Sequence, residues 1–155
     1  MNPIPIEHGQ EVLFPEGLAG CGDWRRFTLD LSPELMPLAL LRSLDVPGLS
    51  LIVADPRLWH PRYECDVSPA DLEFLGAARA EDLTVFIILN SSPEPFAVTA
   101  NLLGPLVVHP ATRRGRQIVQ AGRPYSAQQP LTPAADWLAF ADGLVGCPEW
   151  KQFTL

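Results

Sequence analysis

Basic residues are scarce in this chain. Its 155 residues include 11 lysines and arginines against 18 aspartates and glutamates, a formal net charge of −7. Nucleic-acid binding needs a basic face for the phosphates, so no direct nucleic-acid contact is expected. The three cysteines are too few, and odd in number, for a disulfide framework. No apolar run reaches the roughly 20 residues of a membrane span. LTVFIILN (83–90) is among the longest and has the length of a strand. The N-terminal MNPIPIEHGQEVLF has neither a basic nor an apolar leader segment, so it does not read as a secretory signal. These absences lead to the expectation of a cytoplasmic protein with reduced thiols and no membrane contact.

Signatures of catalysis are missing as well. His8, His60 and His109 stand far apart, and no C-x-x-C or H-x-x-x-H spacing occurs. No nucleophile elbow, P-loop or dinucleotide fingerprint is present. Cys21 and Cys147 have as basic neighbours only Arg25 and Lys151, and read as small packing residues. Asp45 in DVPG and Asp55 in ADP read as turn initiators. No enzyme, metal or cofactor is therefore expected.

Proline and apolar residues are plentiful. Seventeen prolines spread along the chain rule out a helical bundle, and a hydrophobic content of 47% suffices for one core. Strands are expected at 11–14, 24–31, 49–55, 83–90, 96–102, 105–109 and 116–120. LTVFIILN reads as buried on both faces. LALLRSL (38–44) reads as one or two helical turns. SPADLEFLG (68–76) has the marks of a short helix, with Ser68 as N-cap, Pro69 at the first position, Asp71 in the first turn and Gly76 at the end. The fold expected is mainly β: a small antiparallel barrel or sandwich with one or two short helices. TPAADWLAFADG (132–143) reads as a helical tail.

Charge is clustered. Six acids and one base, Arg79, lie between Glu64 and Asp82, and four arginines with no acid lie between Arg113 and Arg123. One reading is a solvated helix face and a solvated hairpin. The other is an acidic docking face for a basic partner, built from Glu64, Asp66, Asp71 and Glu73, with the arginines elsewhere.

Several blocks resemble the flagellar assembly factor FliW family. FPEGLAG (14–20) is similar to its opening, and LLRSLDVPGLSLIVADP (40–56) to its S-x-D-x-P, strand, D-P block. VSPADLEFLGA (67–77), TANLLGPLVVHPATRRGRQIV (99–119) and RPYSAQQPL (123–131) follow in the family's order. The chain departs from the family pattern at Cys21, Gly104 and His109. The small Cys21 is expected to open its loop. The resemblance implies a non-catalytic β-barrel at residues 1–131 that binds newly made flagellin and antagonises the CsrA-type carbon storage regulator. Within the matching blocks Gly17, Gly20, Asp45, Asp55, Pro56, Leu102, Pro105, Gly115 and Gln117 read as structural. Asn101 is open between capping backbone and touching a partner. Leu18 and Trp24 are expected surface contacts. A small barrel with a ligand in its mouth is the alternative.

The tail holds the least usual feature. GLVGCPEWKQFTL (143–155) repeats GLAGCGDWRRFTL (17–29) with eight of thirteen positions identical. Three readings stand: a partial tandem duplication; a segment that can take the place of the first copy, with self-association as one consequence; or a docked tail whose likeness is a relic.

Overall fold

The apolar run at 83–90 supplies the front of the longest strand. A computed structural model describes residues 6–93 and 96–131. Its strands are β1 (Glu11–Leu13), β2 (Arg26–Asp30), β3 (Ala39–Ser43), β4 (Ser50–Ala54), β5 (Thr84–Pro93), β6 (Phe96–Ala100), β7 (Leu106–His109), β8 (Arg114–Gln117) and β9 (Gln129–Pro130). The α-helix among the described residues is α1 (Pro69–Leu75). The expected tail helix and the repeat at 143–155 lie outside the described residues.

Seven strands close into a barrel in the order β1-β2-β3-β4-β5-β7-β8. Antiparallel pairing of β4 with β5 (Val53 opposite Ile88) makes one closing contact, and a parallel pairing of β1 with β8 (Leu13 opposite Arg114) makes the other. Closure leaves no edge on the ring to recruit another chain. On the far side of β5, β6 and β7 run end to end. Leu89 pairs with Ala100 and Phe86 with Leu106, so three steps along β5 face six along its partner. The surplus is a bulge at 101–105, the middle of the TANLLGPLVVH block.

Along 39–41 of β3, 50–54 of β4 and 85–89 of β5 the residues are buried or half-buried on both faces, so their side chains feed two cores in alternation. Phe14, Phe27, Leu29, Leu41, Val53, Phe86 and Leu106 fill the barrel interior. Leu40, Ile52, Ile87, Leu89, Ala100 and Leu102 point outward into a second core covered by Tyr63 and, half-buried, Trp59 and Tyr125. The helical reading of 38–44 is wrong for this reason. Apolar residues on both faces erase the alternation that marks a strand, and pairing with β2 and β4 decides the conformation.

The last expected strand is also displaced, to Arg114–Gln117 from 116–120. Gly115 sets its position. A Cβ there would lie 2.8 Å from Phe14 Cζ, so only glycine lets β8 pass the ring. Helix α1 forms where its caps require. Ser68 Oγ accepts from the Asp71 amide at 3.1 Å, Asp71 Oδ2 accepts from the Ser68 amide at 2.9 Å, and Gly76 ends it at φ +73°.

Candidate partner-binding surface

The two charge clusters meet in space. Arg123, on the segment after β8, donates to both carboxylate oxygens of Asp66 at 2.8 and 3.0 Å and pairs with Glu64 at 2.8 Å. Arg116 on β8 pairs with Asp71 at 3.0 Å and Glu16 at 2.8 Å, and its guanidinium lies 4.4 Å over the Phe74 ring. The arginines expected elsewhere thus cover much of the acidic face. Asp71 is committed twice, to the helix cap and to Arg116, and only 14% of its side chain is exposed. It is a structural residue and not a free docking acid. Glu73 stays exposed.

A groove of about 720 Å³ runs beside this network. Asp55, Glu64, Asp66, Glu81 and Asp82 line it against Arg57 and Arg123, together with residues 83–86 around the start of β5. Hydrogen bonding from Arg123 holds the Asp66 carboxyl below the usual carboxylate range. Arg123 in turn is held protonated, chiefly by the Asp66 bond. Cys65 also lines the groove. Burial, reinforced by Asp66 and Asp71, pushes its thiol up to about 11, so at neutral pH it is a protonated thiol and a poor nucleophile.

Gln120 and two tyrosines hold the groove wall, and sequence reasoning missed all three. Gln120 is 1% exposed; its Oε1 accepts from the Asp66 amide at 2.6 Å and its Nε2 donates to the Asp66 carbonyl at 3.2 Å. Tyr63 and Tyr125 stack with centroids 4.6 Å apart. Tyr63 donates to the Leu102 carbonyl at 2.7 Å, and the Tyr125 hydroxyl accepts from the Glu64 amide at 3.0 Å. A buried glutamine within an apolar-polar strand pattern carries no local signal of its partners.

The opening and the TANLLGPLVVH motif converge on Gln117. Its Oε1 accepts from the Ala19 amide at 2.7 Å, and its Nε2 donates to the Gly104 carbonyl at 2.8 Å. Asn101 Oδ1 accepts from the Gly104 amide at 2.8 Å and closes the bulge. Leu102 and Pro105 are buried on either side of it. In the 14–25 loop Leu18 and Cys21 exchange both backbone hydrogen bonds, at 2.8 and 3.2 Å. The loop is therefore bridged at Cys21 through its backbone. Leu18 is 7% exposed and belongs to the barrel core, so it is not a surface contact, and Trp24 packs partly against the same core. Gly17 and Gly20 take φ of +72° and +76° to make the turn. Asp45 Oδ2 accepts from the Arg25 and Arg26 amides, at 2.9 and 2.8 Å, across strands and not within its own turn. Asp55 accepts from the Arg57 amide at 2.9 Å and caps a 3-10 turn that buries Pro56.

A family model described as FliW protein matches residues 1–131. The chain belongs to the FliW family. A flagellar assembly factor FliW from Treponema pallidum (strain Nichols) is 36% identical over 117 residues, covering 76% of this chain and 77% of the relative. One from Geotalea uraniireducens (strain Rf4) is 33% identical over 129 residues, covering 83% and 78%. A crystal structure described as the flagellar assembly factor FliW superposes with a TM-score of 0.72 at 29% identity, covering 85% of this chain and 92% of the other. A FliW member has a role in flagellar assembly, and the seven-strand barrel described above is the fold shared with that structure. Among the described residues no helix is long and apolar enough to cross a membrane.

Proposed function

We propose that this protein is a non-enzymatic partner switch of flagellar assembly that works in the cytoplasm. It binds newly made flagellin and, when free, binds and antagonises a CsrA-type translational repressor. Free flagellin captures the protein and releases the repressor, so three proteins compete by mass action. FliW membership across residues 1–131 carries this reading. The acid-lined groove supports it, because a small RNA-binding repressor is basic and a carboxylate rim raises its association rate. The alternative, a ligand held in the barrel mouth, is weaker, since Phe14, Phe27 and Phe86 fill the interior.

Calorimetric titration of the full chain with flagellin from the same organism tests the first half. Saturable one-to-one binding is expected; no complex from a folded protein would overturn it. For the second half, Glu73→Lys with Glu81→Lys should weaken repressor binding at low salt. Both residues are exposed, so the variant leaves the helix cap intact. Unchanged affinity would remove the acidic face, with the groove rim at Glu81, from the reading.

A further inference from the structure

The repeat at 143–155 becomes informative once 17–29 is placed in the barrel. The five positions at which the copies differ are Ala19, Gly22, Asp23, Arg25 and Arg26, and all five are exposed. Seven of the eight identical positions are buried or half-buried, whereas Arg26, a differing position whose side chain pairs with Asp45 at 3.3 Å, lies on the exposed side. Phe27 and Leu29 are fully buried, Gly17 and Leu18 are buried, and Cys21, Trp24 and Thr28 are half-buried. Gly20 is exposed but sits at φ +76°. Gly17 is kept as Gly143 where a Cβ would collide with the backbone of residue 22. Proline replaces Gly22, where a Cβ meets nothing within 4 Å.

This pattern discriminates among the readings of the tail. A relic drifts at buried and exposed positions alike. A mimic of a partner-facing surface keeps its exposed residues. A segment held to the fold of the first copy, whether it enters the same slot or stems from a partial duplication, keeps the buried and left-handed positions and varies the rest. We propose that residues 143–155 are an interchangeable copy of 17–29 that can enter the slot between β1 and β3 of their own barrel, releasing the first copy to solvent.

Topology brings Leu131, the last described residue, toward the end of the barrel that holds the 14–25 loop. β9 runs from beside Ala100 to beside Thr99, and the Leu131 amide donates to the Val98 carbonyl. The chain thus heads toward the β5–β6 turn. The pairings of β5 with β4, β4 with β3, β3 with β2 and β2 with β1 put the 14–25 loop at that same end. Residues 132–142 then connect to the repeat. Eleven residues span up to about 36–40 Å, against a radius of gyration on the order of 14 Å for the domain. A tether of this length makes the own slot the favoured target over another molecule's.

The exchange is read by register-specific crosslinking. Glu11 faces Thr28 across β1 and β2, and such opposed residues lie within disulfide reach. In the full chain with its three native cysteines changed to alanine, Glu11→Cys is combined with Thr154→Cys or, as an out-of-register control, Gln152→Cys. Exchange predicts a monomeric disulfide that forms at least tenfold faster through position 154 than through 152. Equal rates mean a tail that merely collides, and overturn the proposal. A disulfide found only in dimers also overturns it, by assigning the slot to a second copy. Should these variants misfold, Phe27→Asp is compared with Phe27→Asp/Phe153→Asp by circular dichroism. Exchange predicts that the single variant keeps its β-sheet spectrum and the double loses it; equal loss in both refutes the exchange.

Discussion

Gly115→Ala tests the closure of the barrel through one methyl group. The added Cβ would sit 2.5 Å from Phe14 Cε1, 2.8 Å from Cζ and 2.9 Å from Cδ1. Carbon atoms pack at about 3.5–4.0 Å, so the ring or the strand must retreat by about 1 Å. Neither has room. Phe14 is fully buried and edge-on to Phe27 at 5.7 Å, while Gly115 is pinned in the β7–β8 ladder opposite Val108. Overpacking of this kind costs about 1–3 kcal/mol, and we expect the upper part of that range. In urea the midpoint should fall by on the order of 1 M with little change in slope. Gly122→Ala is the matched control, because nothing lies within 4 Å of its Cβ position, and it should stay within about 0.5 kcal/mol of the parent. Phe14→Leu removes part of the obstructing ring. The double variant Gly115→Ala/Phe14→Leu should therefore be less destabilised than the two changes added together, by about 0.5–3 kcal/mol. A Gly115→Ala protein as stable as the Gly122→Ala control, or strict additivity with Phe14→Leu, would show that the ring does not set the position of β8.

Three further outcomes follow from particular contacts. Gln117→Ala leaves the Ala19 amide and the Gly104 carbonyl without their partner; the expected loss is about 1–3 kcal/mol, with faster hydrogen exchange at Ala19, and an unchanged exchange rate would count against the bridge. Asp30 is partly buried, which acts to raise its pKa, yet hydrogen bonds from the Ser32 side chain and amide and from Arg42 outweigh burial and lower it. Its contribution is therefore present above the unfolded carboxyl value of about 3.9 and lost as pH falls through the depressed folded value. Asp30→Asn should be less stable than the parent at pH 7 and equally stable at low pH, and a gap that persists in acid would refute this. Cys65 should react slowly with a thiol reagent at pH 7 in the folded protein and accelerate as pH approaches about 11; rapid labelling at neutral pH contradicts a protonated, buried thiol.

The contrast between what the sequence discloses and what it hides has a physical cause: range. Helix α1 is legible because Ser68 and Asp71 satisfy each other's amides at its start and Gly76 closes its end, all within nine residues. The run at 83–90 is legible because a strand buried on both faces needs apolar side chains at every step. The same double burial misleads at 38–44, where Leu40 and Leu41 serve different cores and the run is short enough to imitate a helix. The acidic face is misread for the opposite reason. Asp66 and Arg123 are 57 residues apart, and Asp71 and Arg116 are 45 apart, so composition registers two clusters of opposite sign but not their pairing. Leu18 is misplaced because a leucine between turn glycines reads as a loop tip, whereas the turn folds it into the end of the barrel. Repeats escape this limit. When a chain carries two copies of a segment, burial in one copy shows which letters the fold has held constant in the other, and a long-range requirement becomes readable by comparing one sequence with itself.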